Sequence, residues 1–295
     1  MTSVQTRCSG EVAPGIHWVE QSILDGKTGA VFGARGALAI DSGNSREDGA
    51  ALAEVIRRGG HTPSRLALTH GHGDHAIGSS ELPGAEVFAH ARCPEVIRRH
   101  LPSMIKNQNR PNLEAELTWP SVTFLGELTI DLGGKTVRLV HTPGHSDDSI
   151  CAYVVEDGVL FSGDTCVTII TPVVSDGHSA ELEESLGRLS ELGAEILVPG
   201  HGPIVTGRDA VRDALLWPAR YVAAVRAHVR PLVARGDSDE AIVDATPHER
   251  FVGDRFEAVN PRGEKPHQLT VAKIVAEVRR EGAAGGAPPD NGRTR

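Results

Sequence analysis

The sequence predicts an α/β protein with an all-helical C-terminal appendage. Three observations predict it. Short apolar runs bounded by glycine dominate the first half of the chain. Helical periodicity alternates with such runs up to about residue 207, and from 208 onward only helical periodicity remains.

Taken in order, GIHWVEQ and TGAVFGARGALAIDSG read as early strands, the second with a turn at Ala34 to Gly36. SREDGAALAEVIRRGG has helical spacing, opens on a Ser cap and stops at Gly59 and Gly60. SRLALTH is a short buried strand and AEVFAH another, with a helix expected over ARCPEVIRRHL. SVTFLGELTIDLGGKTVRLVHTPG reads as two strands joined at Gly133 and Gly134. SICAYVVEDGVLFSGD is a hairpin with Asp157 and Gly158 at its turn. SAELEESLGRLSELG is an amphipathic helix, and AEILVPGHG a strand ending in a loop. The segment from Arg208 is one long helical stretch with bends expected at Pro218 and Pro231. SDEAIVDAT and HQLTVAKIVAEVRREG are further helices. The expected units are 1–207, a helical appendage 208–282, and a Gly/Pro-rich tail 283–295 expected to be disordered.

Composition narrows the function. A formal charge of −9 disfavours a general nucleic-acid binder, which needs a basic face. Cys8, Cys93, Cys151 and Cys166 are widely spaced and form no CxxC pair, so they read as free thiols of a reducing compartment. No apolar run has the length of a signal peptide or a membrane span, and the expected location is cytoplasmic.

The chemistry concentrates in THGHGDH, residues 69–75, where His70, His72, Asp74 and His75 fall within six positions at the end of an apolar strand. One histidine there would read as a capping or solvent-facing group. Three with an aspartate read as a metal site, because imidazole is the commonest nitrogen ligand. Gly71 and Gly73 are expected to let the backbone turn so that alternate side chains converge. Three further strand ends offer donors: His141 and His145 in HTPGHSDD, Asp164 in FSGDTC, and His201 in LVPGHGP.

HxHxDH, PGHS, SGD and PGHG in this order resemble the metallo-beta-lactamase-fold hydrolase superfamily over roughly residues 15–207, and AIDSG places Asp41 at the family's buried supporting aspartate. The resemblance implies an αββα metallo-beta-lactamase sandwich, two mixed sheets flanked by helices. It implies that His70, His72 and His145 hold one metal, that Asp74, His75 and His201 hold a second, and that Asp164 bridges them. Two divalent ions, zinc first with iron or manganese as alternatives, would share a water about 3.5–4 Å from ion to ion and ionise it near neutral pH. The resulting bridging hydroxide would attack a small acyl substrate: a thioester, ester, lactone or amide. Asp74 would orient the nucleophile or carry its proton. Typical beta-lactamases of this fold carry a cysteine at the position of Asp164, so the resemblance points to the glyoxalase II, lactonase and nuclease branches instead.

The loop CVTIITPVVSDGH is expected to border the metal mouth, with Val167, Ile169, Ile170, Val173 and Val174 either lining a pocket or packing. Its His178 is a candidate substrate contact or an exposed loop residue, and His141 either supports a ligand or is structural. Cys166 reads as a buried thiol, and His17, His61, His90, His100, His228 and His248 as structural. The appendage weakly resembles the endoribonuclease subgroup, so a metal-dependent phosphodiesterase or endoribonuclease is the alternative. An iron-dependent sulfur oxygenase is a third. Arg220, Arg226, Arg230 and Arg235 read as a solvated helical face rather than an RNA surface. The expected partner is a small molecule, with no membrane, and the appendage is placed to cover the site or to form a homodimer.

Overall fold

The computed structural model describes residues 8–174 and 176–285. The first sheet is built from β1 (Ser9–Ala13), β2 (Ile16–Glu20), β3 (Lys27–Gly33), β4 (Gly36–Ile40), β5 (Arg65–Ala67), β6 (Glu86–His90) and β7 (Val122–Phe124), which lie side by side in that order. β1 to β4 pair antiparallel, and β4 to β7 pair parallel. The parallel connections run through helices, as such crossovers require. α1 (Arg46–Arg58) begins at Ser45, whose Oγ accepts the Asp48 N–H. α2 (Gly73–Ala76) is a single turn, α3 (Cys93–Gln108) carries Pro94 in its first turn, and α4 (Leu113–Glu116) is short.

The second sheet runs β13 (Val205–Thr206), β12 (Ile196–Pro199), β11 (Val159–Gly163), β10 (Ile150–Val154), β9 (Thr136–His141), β8 (Glu127–Asp131). Only β11 and β12 pair parallel, with α5 (Ser179–Ser190) in the crossover between them. The run read from sequence as two strands forms three. β7 joins the first sheet, the chain crosses at Leu125 and Gly126, and β8 and β9 form a hairpin of the second.

Ile16, Val31, Leu38 and Ile40 of the first sheet meet Val137, Leu139, Ile150 and Phe161 of the second in one apolar layer. Gly29 stands opposite Phe161, and a Cβ there would run into the aromatic ring, so the sheets close only over glycine. Behind the first sheet, α1 and α3 bury Leu52, Ile56, Ile97 and Leu101. Behind the second lie α5, α6 (Arg208–Ala234), α7 (Asp239–Asp244), α8 (Glu249–Val252) and α9 (Phe256–Gly285). The layers are therefore αββα.

α6 continues through Pro218 and Pro231. Burial of Val211, Leu215, Val222, Val225 and Val229 along its inner face outweighs the lost hydrogen bonds, a cost of about 3 kcal/mol per interior proline. α9 runs through Gly285, three residues past the expected boundary, and residues 286–295 lie outside the described part. Among the described residues, the buried apolar side chains of the appendage share a cluster with the sandwich. Val222, Val225, Ile274 and Val275 pack into the same cluster as Leu160, Leu197, Leu182 and Leu186 of the second sheet and α5.

Side chains of the appendage and of the sandwich share one apolar cluster, which favours their unfolding together. Calorimetry of the full chain is expected to show a single unfolding transition. Two resolved transitions would mean that the helices after Gly207 fold independently.

Candidate metal centre

The candidate residues collect at one end of the sandwich because each sits just past the end of a strand. Asp41 follows β4, His70 follows β5, His145 lies between β9 and β10, Asp164 follows β11 and His201 follows β12. The loop after β5 packs against α3, and this explains Gly71. A Cβ on it would stand 2.8 Å from the Ile97 N and 3.0 Å from the Cys93 O. Its own N–H donates to Asp148 Oδ2 at 2.7 Å. Neither Gly71 nor Gly73 has a positive φ, so close approach rather than left-handed backbone selects Gly71. Gly200 has the same role on the other side, where a Cβ would collide with Asp164 Oδ1.

His70, His72 and His145 form one group. His72 Nδ1 lies 3.0 Å from His70 Nε2 and 3.0 Å from His145 Nε2. The bonds on the far side of each ring assign the tautomers. Thr69 Oγ1 donates to Asp41 Oδ2 (2.8 Å), so it accepts from His70 Nδ1 (3.1 Å). His145 Nδ1 donates to the Val173 carbonyl (2.7 Å), and His72 Nε2 donates to Asp176 Oδ2 (2.7 Å). The three nitrogens that face one another therefore carry lone pairs and no proton. Their spacing is close to the roughly 3.3 Å that bonds of about 2.0–2.1 Å to one tetrahedral ion impose. Burial, reinforced by the neighbouring imidazoles, holds His70 well below the usual histidine pKa. Burial likewise pulls His145 down to about 4 against the field of Asp164.

Asp74, His75, Asp164 and His201 form the second group. His75 Nδ1 donates to Asp41 Oδ2 (2.8 Å), and His201 Nδ1 donates to the Leu24 carbonyl (3.1 Å). Their Nε2 atoms turn inward. His201 Nε2 is 3.1 Å from Asp74 Oδ2 and 3.5 Å from Asp164 Oδ1, and His75 Nε2 is 3.3 Å from Asp164 Oδ1. His75 Nε2 and Asp164 Oδ1 are fully buried without a hydrogen bond, which is the signature of donors arranged for a cation. Burial opposes a charge on His75, but Asp164, Asp41 and Asp74 outweigh it and raise its pKa well above the usual value. His201 is raised too, against burial, by Asp164 and Asp74. Burial opposes ionisation of Asp74 and Asp164, yet the two imidazoles hold both carboxyls below the usual range.

The two groups meet at the floor of a cavity of about 200 Å³. Leu24, Val167, Ile170 and Val173 form its wall, and His72, Asp74, His145, Asp164 and His201 its floor. The apolar loop thus divides: Val167, Ile170 and Val173 face the cavity, while Val174 and Cys166 join the core, where burial pushes the Cys166 thiol up to about 12.

Asp41 sits beneath both groups through Thr69 and His75. His141 lies away from them, stacked on His90 at 3.9 Å, with its Nε2 donating to the Asp147 carbonyl. His178 caps α5 by accepting the Ala180 N–H and does not line the cavity. Sequence reasoning missed Asp176, and it set His100 among the structural histidines. Asp176 accepts from His72 and from His100 Nε2, each at 2.7 Å. Nothing in the spacing links residues 72, 100 and 176; only the carboxylate two positions before His178 hinted at a polar role for the loop.

Because Asp41 fixes the His75 tautomer, Asp41→Asn is expected to weaken divalent-metal binding at the second group by about 10–100-fold. Competition with a chromophoric chelator measures this. Unchanged affinity would remove Asp41 from the support of the site.

Comparison with known proteins places the arrangement. A model of the metallo-beta-lactamase superfamily matches residues 27–201. An atrochrysone carboxyl ACP thioesterase of Passalora fulva is 30% identical over 175 residues, 58% of this chain and 46% of that protein. This chain spans about half the length of the curated relatives it matches. Among solved structures, a sec-alkylsulfatase from Pseudomonas sp. superposes with a TM-score of 0.71 at 15% identity, over 96% of this chain and 52% of that one. A metallo-beta-lactamase family protein from Thermus thermophilus superposes with a TM-score of 0.62 at 21% identity, over 92% and 95% of the two chains. These likenesses show the fold, and the strand-end His and Asp residues lie where the matched segment ends its strands. The chain belongs to the metallo-beta-lactamase superfamily.

Proposed function

We propose that the protein is a dinuclear metal hydrolase of small acyl substrates, with a thioester as the first substrate to consider and zinc as the native metal. The observation that carries this reading is the cavity. Both donor groups lie on its floor, its wall is aliphatic, and none of its lining residues is Lys or Arg. Such a wall receives an acyl chain by burial of apolar surface, about 25 cal/mol per Å². A phosphodiester would meet no cation from the protein there. Two divalent ions, one on His70, His72 and His145 and one on Asp74, His75 and His201 with Asp164 between, would ionise a water near neutral pH and polarise the acyl oxygen.

The side chains do the rest. Val173 O, Asp176, Asp41 and Leu24 O hold the imidazoles in the tautomers that present lone pairs. Asp74 is the most open carboxylate of the site, with 27% of its side chain exposed against 12% for Asp164, so it is placed to hold the proton of the attacking water and pass it outward. Leu24, Val167 and Ile170 exclude bulk water and keep the acyl group against the floor. The name of the Passalora fulva relative, a thioesterase, supports the choice of substrate class. The pairing of Arg220, Arg226 and Arg230 of α6 with Asp213, Glu183 and Glu281, and of Arg235 just past it with Asp237, supports a solvated helical face over an RNA surface. The reading also places the protein in the cytoplasm, supported by four unpaired cysteines; no helix of the described residues is long and apolar enough to cross a membrane.

Zinc-loaded protein assayed on a panel of acyl thioesters, esters and lactones is expected to turn over at least one class, and Asp164→Ala to lower kcat/KM by about two orders of magnitude or more. A fully loaded protein that cleaves none of them would overturn the acyl reading.

Metal retention should depend on pH in a set order. Protons compete at the second group to higher pH, because His75 and His201 are raised, whereas His70 and His145 are lowered. As pH falls, the ion on Asp74, His75 and His201 is expected to leave first. Metal content after dialysis at stepwise lower pH checks this: a plateau at one ion per chain is expected, and simultaneous loss of both contradicts it.

A further inference from the structure

Residues 171–174 and 176–179 cross the outside of the first histidine group and supply the outer partner of two of its three rings. The Val173 carbonyl accepts from His145 Nδ1, and Asp176 accepts from His72 Nε2. This segment is anchored at both ends to α9. Near its start, Thr270 Oγ1 donates to the Pro172 carbonyl at 2.7 Å, and Thr171 Oγ1 donates to the Gly263 carbonyl at 3.4 Å. At its far end, Glu277 accepts from the Ser179 N–H at 3.2 and 3.3 Å and from Ser179 Oγ at 2.5 Å. Arg226 of α6 donates to the same Ser179 hydroxyl and pairs with Glu183. Thr270 and Glu277 are seven residues apart, two helical turns, and therefore share one face of α9. Both are buried, at 0% and 1% exposure.

We infer that α9 is a positioning element of the metal centre. Thr270 and Glu277 clamp the two ends of 171–179, and the clamped segment sets the ring orientation and tautomer of His145 and His72. Neither residue reaches the cavity; each acts through the segment. A stretch with little regular structure across a metal mouth would otherwise sample many conformations, and each would turn an imidazole away from the common point. Glu277 also faces the N-terminus of α5, a 12-residue helix, where a carboxylate is favoured. This inference rests on the reading of His70, His72 and His145 as ligands, but its consequence for the rings themselves does not.

The test uses the full chain with Thr270→Val and Glu277→Gln, both close in shape to the native residues. Thr270→Ser restores the hydroxyl, and Val275→Ala is a buried change on the same helix whose side chain makes no hydrogen bond to the segment. Imidazole ¹⁵N chemical shifts of the metal-free protein report the tautomers. The expected result is single tautomers of His72 and His145 in the wild type and in Val275→Ala, tautomer mixtures in Thr270→Val and Glu277→Gln, and recovery in Thr270→Ser. Cobalt or zinc affinity of the first site is expected to fall about 10–100-fold in the same two variants, the size usual for loss of an outer partner of a ligand. Wild-type tautomers in both variants would overturn the inference. An equal disturbance in Val275→Ala would also overturn it, because general loosening of α9 would then suffice. Shifted tautomers in a protein that loads no metal would uphold the clamp and sink the dinuclear reading instead.

Discussion

Five imidazole nitrogens and two carboxylates converge in one largely buried place. That convergence is the constraint to which the rest of the molecule answers. Unpaired buried acceptors cost free energy individually, and like charges raise the cost further. A divalent cation reverses the sign, because every lone pair that was unsatisfied becomes a ligand. On the proposed reading the group would be favourable only with a bound ion, so the fold has to hold it together from outside.

The outer hydrogen bonds do this holding, and they come from all over the chain. The Leu24 carbonyl sits on the turn between β2 and β3, Asp41 at the end of β4, Val173 and Asp176 in the segment before α5. Some are held at a local cost. Leu24 and Asp41 have φ of 51° and 56°, a left-handed region unfavourable for residues with a Cβ. Strain of this kind persists only where surrounding contacts over-determine it. Here the over-determination is visible: the Asp41 carboxylate accepts three hydrogen bonds, from the Thr69 N–H, the Thr69 hydroxyl and His75 Nδ1, and its own N–H donates to the Ala67 carbonyl.

The helices after residue 207 enter this scheme by two routes. Their apolar faces complete the core behind the second sheet. Their polar residues reach the segment that carries Val173 and Asp176. The helices thus pack on the layer that shapes the site, while Arg220, Arg226 and Arg230 pair with neighbouring acids.

The sequence by itself singled out the candidate donors. His70, His72, Asp74 and His75 are adjacent in the chain, and His145, Asp164 and His201 each stand beside a glycine just past an apolar run, so local spacing was enough to single them out. It determined most strands as well, because period-two burial and glycine turns are local signals. Only the tertiary structure decided what surrounds the donors. Asp176 and His100 lie 104 and 28 residues from His72, and their partnership arises from the packing of α3 against the segment before α5. The demotion of His178 to a helix cap, the stacking of His141 on His90, and the split of one apparent two-strand run across both sheets have the same origin. Ligand identity is written in residue type and short-range spacing, whereas ring orientation, outer partners and the cavity wall depend on contacts between segments far apart in sequence, which no local pattern records.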